Sequence, residues 1–140
     1  MSLHDQIFLT DLDSLRLRSV ARRLAARHGA ERRNAEELFD LLESAQVVPA
    51  NAIAPDVVTM NSRVSCDACA SDAGGVLTLV YPGEADVDAG RISVLSPLGR
   101  ALLGARAGSR VAFETPGDGV RSVQVRSIAY QPEACGHWSL

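Results

Sequence analysis

The sequence predicts an α+β fold, a short antiparallel helical hairpin (a coiled coil) followed by an antiparallel β-sheet domain that carries one short helix. Three observations predict it. Residues 11–48 contain no proline and a single glycine, and their apolar residues recur at helical spacing. From Val57 onward the texture changes to short β-rich segments separated by turn residues. Within that second part, Pro97–Gly104 (PLGRALLG) opens on a proline and closes on a glycine, the order that suits a short helix.

The first helix is expected to begin near Asp11 or Asp13, whose carboxylates suit the positive end of a helix dipole, and to run to Gly29. Leu12, Leu17, Val20, Ala21, Leu24 and Ala25 form its broad apolar stripe. The second helix has a cleaner one: Ala35, Leu38, Phe39, Leu42 and Ala45 fall at i, i+3, i+4, i+7 and i+10. Asn34 is the expected N-cap, with Glu37 placed to complete a capping box, and Pro49 closes the far end. Arg16, Arg18, Arg22, Arg23 and Arg27 lie on the first helix, and Glu36, Glu37, Asp40 and Glu43 on the second. Antiparallel packing is expected to set these bases against these acids, in exposed pairs that select orientation while the apolar stripes hold the hairpin.

The organisation expected is a hairpin arm over 1–49, a connector over 50–56, a β-rich domain over 57–134 and a tail over 135–140. Candidate strands are Val57–Cys66, Gly75–Tyr81, Ile92–Leu95, Arg110–Glu114 and Arg121–Tyr130. Turn residues separate them at 72–75, 82–83, 89–90, 108 and 116–119. The last strand alternates, with Val123, Val125 and Ser127 on one side and Gln124, Arg126 and Ile128 on the other.

Composition narrows the function classes. At 140 residues, 46% hydrophobic and 22% charged, the chain suits one globular domain with an appended element and excludes wholesale disorder. No apolar run reaches the ~20 residues of a membrane helix, so no membrane partner is expected. The N-terminus carries acids where a secretory signal would carry bases, which places the protein in the cytoplasm. All 14 basic residues are arginines and the net charge is −3, without the basic excess expected of a protein that binds nucleic acid directly. The three cysteines make an odd count, as expected for thiols that stay reduced.

Motifs with chemical meaning are few. Cys66, Cys69, Cys135 and His137 form the one metal-like set, but a single C-x-x-C lacks the second half-site of structural zinc, and two cysteines along one strand point to opposite faces. Small buried thiols are the expectation, with no metal and no cofactor. The C-x-x-C follows a strand and does not open a helix, so a thioredoxin-like role is not expected. His4, His28 and His137 fit no metalloprotease or hydrolase motif. The cluster Glu84, Asp86 and Asp88 lacks the spacing of a calcium loop and reads as a solvated, partner-facing segment.

Five segments carry a resemblance: residues 56–64 (DVVTMNSRV), 78–82 (TLVYP), 84–86 (EAD), 91–104 (RISVLSPLGRALLG) and 130–134 (YQPEA). Together they resemble the C-terminal domain of Gre-type transcription elongation factors, over about residues 53–134. The resemblance implies an FKBP-like domain that docks on the largest subunit of RNA polymerase at the rim of the secondary channel, with the hairpin projecting inward. It assigns partner contacts to Leu95, Ser96, Pro97, Arg100, Glu84 and Asp86. Ser96 and Pro97 match the cleavage factors, whereas Leu95 stands where they usually carry a polar residue.

The arm departs further from the family pattern. Cleavage factors of this family hold a catalytic Mg²⁺ with two acids at the tip of a long arm. Here helices of about 17 and 13 residues would reach only about 25 and 20 Å. The expected tip, with Arg27, Arg32 and Arg33 around the single acid Glu31, repels a divalent cation. The resemblance therefore implies a non-enzymatic regulator that occupies the docking site of cleavage factors without stimulating transcript cleavage. Two other readings remain at this stage. One is a peptidyl-prolyl isomerase, suggested by the implied fold alone, for which Tyr81, Phe113, Tyr130 and Trp138 are the available aromatics. The other is nucleic-acid binding through Arg22, Arg23 and Arg27.

Overall fold

The computed structural model describes residues 7–67, 75–115, 117 and 119–136. The chain enters through a strand, β1 (Phe8–Thr10), that leads directly into α1 (Asp11–Ala25). Thr10 is the N-cap: its backbone is extended and its Oγ1 accepts from the Asp13 N–H at 3.0 Å. After a four-residue tip, 26–29, the helix α2 (Ala30–Ser44) returns, followed by a strand β2 (Gln46–Val48). β1 and β2 pair in parallel, Phe8 opposite Gln46 and Thr10 opposite Val48, and so clamp the two ends of the hairpin together.

Both helices have 15 residues, about 22 Å each at 1.5 Å per residue, so the expected lengths of 17 and 13 are corrected at the tip. Gly29 does not follow the C-terminus of the first helix; it is the N-cap of the second, at φ +68°, a conformation that favours glycine. Asn34 is consequently interior to α2 and caps nothing, and α2 ends at Ser44, before Pro49 is reached. The expected pairing of α1 bases with α2 acids is also corrected. Arg27 pairs instead with Glu31 across the tip, and Arg32 with Glu36 within α2. The helices meet through apolar faces that turn the charged residues outward.

A five-stranded sheet follows, built from β3 (Arg63–Asp67), β4 (Val76–Val80), β5 (Arg91–Ser93), β6 (Arg110–Thr115) and β7 (Gly119–Tyr130), in the order β5-β4-β3-β7-β6. The pairs β3/β4, β3/β7 and β6/β7 are antiparallel, but β4 and β5 are parallel, so the sheet is mixed and not purely antiparallel. The connection 81–90, with 3-10 turns at Pro82–Glu84 and Val87–Ala89, carries the chain back to run alongside β4. A short helix, α3 (Pro97–Leu102), follows β5 and packs against β6. The 3-10 turn Glu133–Cys135 begins within the expected domain and runs into the expected tail.

Two strand expectations change for physical reasons. Residues 57–62 are not a strand: Asn61, at φ +66°, turns the chain, and Val58 exchanges backbone hydrogen bonds with Gly104 and Ala105 at 2.9 and 2.8 Å. In β7 the alternation breaks at a bulge between Ser65 and Cys66 of β3. Val123 and Val125 are buried as expected, but beyond the bulge Ile128 packs on the core while Ser127 is exposed.

One apolar core serves both parts. Leu17 and Ala21 of α1 and Leu38 and Leu42 of α2 belong to the same buried cluster as Val58, Val64, Leu79, Val94, Leu102 and Val125. The hairpin therefore stands on the sheet domain through shared burial of apolar surface, the largest favourable contribution to folding.

Candidate functional site

The segment 93–100 is tied down by its own hydrogen bonds. Ser93 Oγ accepts from the Leu95 N–H at 3.0 Å, and Ser96 Oγ donates to the Ser93 carbonyl at 2.7 Å while accepting from the Gly99 N–H at 3.1 Å. Ser96 is thus the N-cap of α3, Pro97 occupies its first turn, and the serine hydroxyl is engaged within the loop. Gly99 admits no side chain, since a Cβ there would lie 2.0 Å from the Ser93 carbonyl oxygen. The Arg100 guanidinium donates to the Leu95 carbonyl and, at 3.4 Å, to Asn34 Oδ1 of α2. Burial lowers the Arg100 pKa, and the Glu37 charge works against that shift. Arg100 therefore joins this loop to the arm, and Asn34 serves as its acceptor.

Some of the sequence-derived residues line two grooves, to which the segment 81–84 contributes Tyr81, Pro82 and Gly83 in the first and Glu84 in the second. The first groove, about 760 Å³, runs between α1 and residues 81–83, and holds Arg16, Arg23, Arg27, Glu31 and Leu95. The second, about 640 Å³, holds Glu84 with Arg63, Arg91 and Tyr130. Asp86 caps the turn at 87–89 and pairs with Arg91 at 3.5 Å. At the tip, Glu31 is held by Arg27 at 3.0 Å and Arg32 by Glu36 at 3.4 Å, while Arg33 is exposed. Of the metal-like set, Cys66 is buried in the core and Cys135 is exposed; Cys69 and His137 lie outside the described residues, as does Trp138. Among the described residues no three His, Cys, Asp or Glu side chains gather as a metal site.

Sequence reasoning missed a buried polar centre where the arm meets the sheet domain. Asp13, only 2% exposed, accepts from the Met60 N–H through Oδ2 at 3.0 Å. Burial pushes its carboxyl from 3.8 up to about 7, the Met60 hydrogen bond opposes this, and the Glu133 charge adds to it. Glu133, also buried, accepts from Thr59 Oγ1 at 2.7 Å. Tyr81 stands beside this centre, and burial together with the Asp13 charge raises its pKa. Asp13 was legible as a residue near the helix start; its link to Met60, 47 residues on, was not.

Residues 53–130 match the model of the C-terminal domain of the GreA/GreB transcription elongation factors. The chain belongs to the GreA/GreB family. The regulator of nucleoside diphosphate kinase of Escherichia coli strain K12 is 36% identical over 136 residues, covering 96% of both chains. GreA of Beijerinckia indica is 33% identical over 95 residues, 68% of this chain and 60% of that protein. The match to the regulator thus includes the arm, whereas the match to this GreA leaves two-fifths of the longer protein uncovered. The solved structure of a GreA/GreB factor from Nitrosomonas europaea superposes with a TM-score of 0.67 at 34% identity, over 89% of this chain and 98% of that one. The overall fold is therefore shared with that factor. Among the described residues no helix is long and apolar enough to cross a membrane.

Proposed function

We propose that this chain is a non-enzymatic transcription regulator of the cytoplasm that binds RNA polymerase near the secondary channel and competes with GreA/GreB-type cleavage factors without stimulating transcript cleavage. The observation that carries this reading is the pairing of a GreA/GreB C-terminal domain with a short arm whose tip acid is already engaged. The 15-residue helices reach about 22 Å, and Glu31 is paired with Arg27 at 3.0 Å. Binding and positioning a catalytic Mg²⁺ takes negatively charged oxygen ligands free to face it. In this reading residues 53–134 dock and 1–49 form a blunt arm. The FKBP-like description belongs to the docking part.

Leu95, Ser96 and Pro97 are the proposed contact surface, presented by a loop whose own hydrogen bonds fix its shape; Glu84 and Asp86 extend it along the neighbouring turns. Arg100 acts from behind by holding Leu95. Preformed loops lose little entropy on binding, which favours this segment as the anchor. A prolyl isomerase reading gains nothing from the geometry, because Tyr81 and Tyr130 line different grooves.

The test is a competition assay on stalled elongation complexes. The full chain is expected to bind core polymerase, to displace a long-armed cleavage factor in proportion to its concentration, and to produce no shortened transcript by itself. Absence of binding at micromolar concentration, or cleavage stimulated by this chain alone, overturns the reading.

A further inference from the structure

Arg16, Val20 and Arg23 fall at i, i+4 and i+7 and so form one stripe along α1, with Leu24 beside it, and Arg27 follows in the tip; all line the first groove. Within α1 the stripe extends about 10 Å at 1.5 Å per residue. Its floor is apolar, since Val20 is nearly buried and Leu24 is half-buried, and its far wall ends on Leu95. Among the described residues Arg23 makes no ion pair, and Arg27 is held only by an exposed pair with Glu31. Glu31, the acid of that pair, belongs to α2 and lines the same groove at its tip end.

Resting on the polymerase reading above, we infer that this groove receives an acidic, amphipathic segment of RNA polymerase, whose carboxylates meet Arg23 and Arg27 and whose apolar side chains lie on Val20 and Leu24. Two observations fix the occupant. The groove is continuous with the proposed docking loop through Leu95, so a partner seated on that loop reaches it without a break. Its alternation of cations with apolar floor complements a peptide that alternates acids with apolar residues, the way a groove reads an amphipathic helix. A nucleic-acid strand is a poorer fit: the floor offers nothing to a sugar-phosphate chain, and the protein is net negative at −3. A small anion is poorer again, because the groove is open along its outer side and would leave most of such a ligand in water.

The experiment measures binding of the full chain to core RNA polymerase over a range of salt concentrations, for the wild type, Arg23→Glu and Arg23→Ala. Arg23 is exposed, so unchanged thermal melting verifies that both variants fold. Arg23→Glu is expected to bind about tenfold more weakly at low salt and Arg23→Ala less so, with the difference shrinking as salt rises. A photo-crosslinker at Ser19, also on the groove wall, is expected to capture an acid-rich polymerase peptide in the bound complex. Wild-type and Arg23→Glu affinities that agree at all salts overturn the groove assignment and leave the docking reading standing. Crosslinks to transcript or template overturn it in favour of nucleic acid. If the wild type does not bind polymerase at all, both readings fall together.

Discussion

The two ends of the helical hairpin are built differently. At the base, Thr10 and Asp13 are buried, β1 and β2 are clamped together, and Leu17, Ala21, Leu38 and Leu42 join the core of the sheet domain. At the tip, residues 26–33 are all exposed, and the contacts there are ion pairs at 3.0 and 3.4 Å. Exposed pairs contribute about 0–1 kcal/mol, whereas each large buried side chain contributes about 1.5–3. Stability is therefore set at the base, and the charges of the tip can change without unfolding the sheet domain. Substitutions at graded distances from the base test this contrast.

The largest effect is expected at Asp13. Burial raises its pKa from 3.8 to about 7, so between those values the folded chain keeps a proton that the unfolded chain releases. Its contribution to stability is accordingly full below about pH 4, declines as pH rises toward 7, and stays lost above that, a total of up to about 4 kcal/mol. Asp13→Asn retains an oxygen to accept from the Met60 N–H and cannot ionise. Thermal melts from pH 4 to 8 should show the variant gaining on the wild type up to about pH 7 and holding that gain above it. Parallel pH profiles would mean that the carboxyl is not buried as described.

Gly99→Ala comes next. A methyl group 2.0 Å from the Ser93 carbonyl oxygen can be accommodated only by moving backbone, which should cost about 3 kcal/mol and lower the melting temperature by about 10 °C. Because the displaced loop carries Leu95 and Ser96, polymerase binding should weaken along with stability. A variant that melts like the wild type would show that the loop yields easily and is not a preformed anchor.

These effects divide along the line between what the sequence revealed and what it hid. The α2 stripe was legible because Ala35, Leu38 and Leu42 repeat at helical period, and all three are buried. β4, β6 and the first half of β7 were legible from alternation and turn residues. β1 and β2 were not, since three residues are too few to show a period and their pairing partners lie 38 positions apart. Gly29 and Asn34 take roles that their local sequence hides, because glycine ends helices more often than it begins them and Asn34 serves as the acceptor for the distant Arg100. At the site, Leu95, Ser96 and Pro97 emerged only through resemblance. The first groove could not be read at all, since its walls come from α1 and residues 81–83, brought together only by the fold. The contact of Asp13 with Met60 was hidden for the same reason.

Two capping and charge variants complete the gradient. Thr10→Ala removes the oxygen that accepts from the Asp13 N–H at 3.0 Å in a buried setting, and about 1 kcal/mol of stability should go with it. Arg27→Ala at the opposite end breaks the pair with Glu31, yet both side chains are more than half exposed, so the change should stay below about 0.5 kcal/mol and vanish in high salt. It also leaves Glu31 as an unpaired acid at the tip, which is the nearest this arm comes to a cation ligand. Transcript cleavage in stalled complexes should still be absent, because one carboxylate on a helix of about 22 Å supplies neither a second ligand nor greater reach. Cleavage gained by Arg27→Ala would show that charge alone, and not the length of the arm, separates this chain from its long-armed relatives.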